Sequence, residues 1–189
     1  MKITVFGGTN NKKYSEEEIA KCEKLGKFLA ERGDEILTGA CGGFPYYVGR
    51  ASASIGGKVI GYTPAHNFEE HVEKYKFPTD GVSDLVYTTE DFVSITESFL
   101  KRSWDMTPFS DIVIGLGGSW GTYFELMLSF YYKKTIVVVE EFAGAGEMFM
   151  SAKEYFQNRD FNPDVNNGAT VISVKTLDDC IEFLKNYKK

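Results

Sequence analysis

The chain has 189 residues, 43% hydrophobic and 25% charged, the balance of a globular protein large enough to bury one core of ordinary size. Its 27 acids outnumber 21 bases for a formal charge of −6, and no stretch concentrates Lys and Arg, which argues against nucleic acid as a partner. No apolar run approaches the roughly 20 residues of a membrane span. "MKITVFGG" runs straight into a strand pattern, and Cys22, Cys41 and Cys180 are odd in number and widely separated. A reduced, cytoplasmic protein without membrane anchor or disulfide framework is expected.

"KITVF" (2–6) reads as a β-branched strand. Ser15 then opens a helix with acids in its first turn and Ile19, Cys22, Leu25, Phe28 and Leu29 at helical spacing, stopped by Gly33. "EILTG" (35–39) is a second strand, "YYVGRASASIGG" a small-residue helix ending at Gly56-Gly57, and "KVIGYT" (58–63) a third strand. Beyond an irregular stretch around Pro64 and Pro78 come the strand "DLVYTT" (84–89) and a helix over 91–106. "DIVIGL" (111–116), a helix from about Gly121 to Lys133, and "TIVVVEE" (135–141) follow. A helix near 145–157, a polar loop with Asn162-Pro163 and Asn166-Asn167-Gly168, the strand "TVISV" (170–174) and the helix "TLDDCIEFLKNYKK" close the chain. Strand and helix alternate throughout, and several strands are apolar with no polar face. That pattern predicts one doubly wound α/β domain over 1–189, its mostly parallel sheet covered by helices on both faces.

Three strands end in glycine-rich turns: Gly7-Gly8-Thr9, Gly39 through Gly43, and Gly115 through Gly121. In open α/β sheets ligands sit outside the carboxyl ends of strands, where these turns lie. Gly118, Ser119, Gly121 and Thr122 together offer bare amides and two hydroxyls at a helix start, a cradle suited to phosphate. Gly8, Thr9, Gly42 and Gly43 are candidates for the same ligand; the alternative is that glycines merely make tight turns. No Lys follows the glycines as in a Walker loop, and no turn matches GxGxxG.

"GGSWGTYFE" (117–125) resembles the PGGxGTxxE motif of the LOG family of cytokinin-activating phosphoribohydrolases, within the SLOG superfamily. "FLKRSWDM" (99–106) stands where that family carries an arginine and a methionine on the preceding helix, and residues 37–64 are similar to the superfamily's second glycine-rich turn, small helix and third strand. The resemblance covers roughly residues 2 to 140. It implies a Rossmann-like fold, a homodimer, and cleavage of the N-glycosidic bond of a nucleoside 5′-monophosphate to free base and ribose 5-phosphate, with Arg102 and Glu125 as catalytic residues. No metal or organic cofactor is expected. Gly117, Ser119 and Phe124 depart from the family's Pro, Gly and Glu, and Ser103 replaces the basic residue that commonly follows the arginine. The superfamily also holds nucleotide sensors, molybdenum-cofactor carriers and DNA-processing proteins, so a non-catalytic binder of the same fold is the rival reading.

Glycosidic hydrolysis passes through an oxocarbenium-like ribose and needs a carboxylate, a phosphate anchor and help for the departing base. Glu125, about one turn into its helix, can lean back towards the anion site, and Arg102 can reach phosphate or ribose oxygens with its fork. The plainer readings are a first-turn acid on a helix dipole and a paired surface cation. His66 and His71 are spaced by five, unlike HExxH, and with Glu69 and Glu70 they read as a solvated surface loop. Cys41 has no assignable histidine partner and reads as a small residue near the ligand. Phe124, Leu128, Tyr131 and Tyr132 form an aromatic stripe at helical spacing, read as core or, with the helix over 91–106, dimer contact.

Overall fold

The computed structural model describes residues 1–9, 14–157 and 168–187. The predicted turns at Asn162-Pro163 and Asn166-Asn167 lie outside the described residues. Among the described residues seven strands form one parallel sheet in the order β4-β3-β2-β1-β5-β6-β7: β1 (Lys2–Gly7), β2 (Glu35–Thr38), β3 (Lys58–Tyr62), β4 (Asp84–Val86), β5 (Ile112–Leu116), β6 (Thr135–Val139) and β7 (Thr170–Val174). The α-helices among the described residues are α1 (Glu16–Glu31), α2 (Phe44–Ala53), α3 (Ile95–Met106), α4 (Trp120–Tyr131), α5 (Ala145–Gln157) and α6 (Leu177–Asn186).

The period-2 geometry of a strand divides its side chains between two faces. Ile3 and Val5 of β1, with Ile112, Ile114 and Leu116 of β5, join Cys22, Leu25 and Leu29 of α1, Val48 of α2, and Cys180, Ile181 and Leu184 of α6. On the other face Phe6 and Val113 meet Met106 of α3, Leu126 and Phe130 of α4, and Phe149 of α5. The sheet is therefore buried on both sides, as its apolar strands require, and the architecture is Rossmann-like α/β.

From β1 the sheet grows outward to β4; α3 then carries the chain back, and β5 pairs with the free side of β1. The order reverses between β1 and β5, and at that switch point the two strand ends leave a crevice.

Several predicted boundaries move, each for a local reason. α3 starts at Ile95 rather than 91, because the Ser94 side chain accepts from Glu97 N while Val93 N donates to Glu97 Oε2. β4 is three residues long; beyond it Thr88 N leaves the ladder to donate to Ala65 O. α2 begins at Phe44, with Pro45 in its first turn, and ends at Ala53 short of the paired glycines.

The solvated histidine loop is corrected in part. His66 is exposed and lies 2.8 Å from Glu70, but Glu70 itself is only 15% exposed and also pairs with Lys74. His71 is fully buried, 2.9 Å from Thr63 Oγ1 and against the Phe77 ring. A one-turn π-helical segment, Glu70–Lys74, turns it inward.

Candidate functional site

The crevice is built from three strand ends. Gly8 N donates to Leu116 O at 3.1 Å, extending the β1–β5 ladder into the turns themselves. Gly8 and Gly118 then touch: a Cβ on Gly118 would lie 3.2 Å from Gly8 N, and it would also collide with Thr122 Oγ1. Gly118 has φ +87°, which a side chain would strain. Its carbonyl accepts from Ala145 N, so the start of α5 supports the turn from behind.

α4 begins here with no side-chain cap. The amides of Trp120, Gly121 and Thr122 have no acceptor among the described residues, although four N–H groups of any α-helix start need one from outside. By contrast Ser15 caps α1, Ser94 caps α3 and Thr176 caps α6. Gly121 and Ser119 are exposed, Thr122 is buried at 4%, and nothing lies within 4 Å of where a Gly121 side chain would begin. The structure thus brings Gly8, Gly118, Ser119, Gly121 and Thr122 to one place, with uncompensated donors and the positive end of a helix dipole.

Gly43 has a different job. It is buried with φ +101°, and a side chain there would run into the carbonyl of Gly8, which also accepts from Phe44 N at 3.0 Å and the Tyr14 hydroxyl at 2.8 Å. Gly42 faces open space and Thr9 is exposed.

Glu125 lies three residues beyond Thr122 on the same side of α4, roughly 4.5 Å along the axis. Its side chain is 11% exposed and that of Arg102 is 8% exposed, and Arg102 Nη2 stands 3.5 Å from Glu125 Oε1. α3 delivers Arg102 across the sheet to the end of β2, where Nη1 donates to Gly39 O at 2.9 Å and approaches Cys41 Sγ at 3.8 Å. A side chain at Gly39 would displace the guanidinium, because a Cβ would meet its carbon at 2.7 Å. Arg102 Nε is buried without an acceptor among the described residues. A guanidinium with one orphaned donor and one loose ion pair retains capacity for an oxygen ligand.

Burial holds the Glu125 carboxyl above the ordinary carboxylate range; the Arg102 charge and the Ser103 hydroxyl, 2.8 Å from Oε1, pull it back. Both contacts go to Oε1, and Oε2 takes no hydrogen bond from a described residue. Burial likewise pushes the Cys41 thiol up, against the pull of Arg102, so Cys41 is a neutral thiol at this wall and a poor nucleophile. Among the described residues no group of three or more His, Cys, Asp or Glu could hold a metal ion. No helix among them is long and apolar enough to cross a membrane.

Two contributors escaped sequence reasoning: Gly144, whose own Cβ would collide with Gly118 O, and Ser103 as a partner of Glu125. Gly144 had one visible signal, the small-residue run "AGAG" after β6.

The sequence model of the SLOG cluster4 family matches residues 1–178. The chain belongs to that family. No curated protein sequence matches it. Among solved structures it is similar to the structural-genomics protein TM1055, with 20% identity, TM-score 0.76, and 98% of this chain and 99% of that chain covered. The molybdenum cofactor binding protein of Rippkaea orientalis matches with 22% identity and TM-score 0.69 over 97% of this chain and 94% of that one. DNA processing protein A of Helicobacter pylori, described for its single-stranded DNA binding, matches with 18% identity and TM-score 0.68 over 100% of this chain and 82% of that one. At these identities the likeness establishes the shared fold of this SLOG member.

Proposed function

We propose that this SLOG protein is a one-domain nucleotide hydrolase, cleaving a nucleoside 5′-monophosphate to free base and ribose 5-phosphate. The observation that carries the reading is the uncapped start of α4 one turn from a buried Arg102–Glu125 pair. The 5′-phosphate takes the amides of Gly121 and Thr122 and the Ser119 and Thr122 hydroxyls. The orphaned Nε of Arg102 takes a ribose or phosphate oxygen. Water adds to C1′ as the glycosidic C–N bond breaks; its spare proton passes to the Glu125 carboxylate, and the base leaves with a proton drawn from solvent. A single sheet with a core on each face supports reading 1–189 as one domain, and three unpaired cysteines support a cytoplasmic home, testable by fractionation.

The test is release of free base from a panel of nucleoside 5′-monophosphates, with ribose 5-phosphate measured alongside. Glu125→Gln should keep the fold and most nucleotide affinity while cutting turnover by roughly 100-fold or more. Arg102→Ala should impair both, because an anchor acts in the ground and transition states. Micromolar nucleotide binding by the wild type without base release would end the hydrolase reading.

The second reading is a non-catalytic sensor or carrier. Phe124, half-buried where the family has a second acid, favours it, as does the molybdenum-cofactor binding in the name of one structural neighbour. Single-stranded DNA belongs in the ligand panel because another neighbour is described as binding it, although the net charge of −6 gives no overall attraction for a polyanion.

Ile95, Leu100 and Trp104 of α3 and Tyr131 of α4 are exposed, and Trp104 packs edge-on against Tyr132 at 5.9 Å. This apolar surface supports a homodimer through α3 and α4. A monomer in sedimentation at micromolar concentration would count against that contact.

A further inference from the structure

Ser103 sits on α3, buried at 2% exposure, next in sequence to Arg102. Its hydroxyl lies 2.8 Å from Glu125 Oε1 and 3.2 Å from the carbonyl oxygen of Phe99, one turn back on its own helix. A hydroxyl has one proton to donate and lone pairs with which to accept. It cannot donate to both oxygens at once.

From this geometry we infer that Ser103 is a positioning residue that lets Glu125 change its protonation state inside the fold, a role that rests on the hydrolytic reading above. When Glu125 is ionised, Ser103 donates to Oε1. When Glu125 carries a proton, the carboxyl donates to Ser103 Oγ, and the hydroxyl turns to donate to Phe99 O, the back-bond open to any helical serine. The proton enters or leaves at Oε1 and the hydroxyl hydrogen swings between two acceptors. Neither state strands the Ser103 hydroxyl, and an unpaired buried polar group is costly.

The other groups acting on Glu125 do not supply this adaptability. The Arg102 guanidinium, facing it from α3, only donates and favours the ionised carboxylate alone. Cys41, facing the pair from the β2 turn, touches Arg102 rather than Glu125. A basic residue in place of Ser103, as in the LOG pattern, would add a second fixed charge favouring ionisation. The hydroxyl adds no charge: it favours the ionised form through one hydrogen bond and can still accept from the protonated one.

The test reads Glu125 itself, without substrate. The full-length protein is labelled with 13C at glutamate carboxyls, the Glu125 signal is assigned by its loss in Glu125→Gln, and its titration midpoint is measured. Ser103→Ala removes a donor to the ionised form, so the midpoint should rise by about half a pH unit or more, roughly a 3-fold gain in proton affinity. Ser103→Thr, which keeps the hydroxyl, should return it to within about 0.2 unit of wild type. Should Ser103→Ala fail to fold, Ser103→Cys, similar in size with a weaker donor, should shift the midpoint upward by a smaller amount.

An unchanged or lowered midpoint in a folded Ser103→Ala protein, or a folded Ser103→Thr protein that behaves like alanine, overturns the proposal. In the base-release assay the acidic limb of kcat/KM should move to higher pH with the midpoint, because Glu125 must be ionised to take a proton. A wild type that titrates as expected but releases no base overturns only the hydrolytic reading.

Discussion

At the start of α2, Phe44 N donates to Gly8 O, Pro45 has no N–H, and Tyr46 N donates to Gly43 O. At the start of α4, beyond the β5 end of the same crevice, the amides of Trp120, Gly121 and Thr122 have no acceptor among the described residues. Neither helix has a side-chain cap, and both follow glycine-rich turns that look alike as sequence. The first turn spends its glycine on chain-to-chain contact: Gly43 closes on Gly8 and the helix end is satisfied by backbone. The second spends Gly118 on a sharp bend and leaves Gly121 facing open space, so its helix end waits for an outside acceptor. Glycine content marks where backbone comes close to something. Whether that something is the protein or a ligand depends on where the amides go.

The largest expected effect lies on the closed side. Gly43→Ala places a Cβ into the carbonyl of Gly8 at φ +101°, where an L side chain is strained whatever the space. It should destabilise the fold by roughly 3 kcal/mol, measured as a shift in the urea midpoint. If Gly43→Ala unfolds like the wild type but binds nucleotide far less tightly, the division of labour between the two turns is wrong and α2 holds the ligand.

Much of this fold was legible because parallel strands buried on both faces leave a local signature. The β-branched runs at 2–6, 112–116 and 135–139 read as such strands, and Ser15 followed by acids marked a helix start. What local pattern could not give is which strand lies beside which. That β5 pairs with β1, and so creates the crevice, depends on α3 crossing the sheet, a long-range event with no periodicity of its own.

The site divides the same way. Arg102 and Glu125 were visible through a motif. The contact of Arg102 with Gly39 O spans 63 residues, and no spacing rule reaches that far. His71 was misread because its neighbours are polar, while the Thr63 hydroxyl and Phe77 ring that bury it converge only through tertiary packing. Ser103 registered as a departure from a family pattern, but its hydrogen bond to Glu125 needs α3 and α4 side by side.

The smaller effects lie on the open side, and two substitutions sharpen it together. Thr122→Ala removes a hydroxyl packed beside Gly118 and should weaken nucleoside monophosphates by roughly 10-fold, about 1.4 kcal/mol, the scale of one hydrogen bond to a charged group. The matching nucleosides, which place no charge there, should lose far less; equal losses would remove the anion assignment. Gly121→Ala meets nothing within 4 Å and lies in the first turn of α4, outside the left-handed region. It should leave stability unchanged or raise it by less than about 1 kcal/mol, since alanine is the better helix former. If a phosphate approaches the amides as closely as the bare helix start allows, the added methyl crowds it, and affinity should fall modestly while stability does not. That opposite movement, read by thermal denaturation with and without inorganic phosphate, is the signature of a glycine kept for a ligand. A Gly121→Ala protein that loses stability would place Gly121 with Gly43 among glycines that serve the fold, and one that gains stability and binds phosphate as before would remove its ligand role.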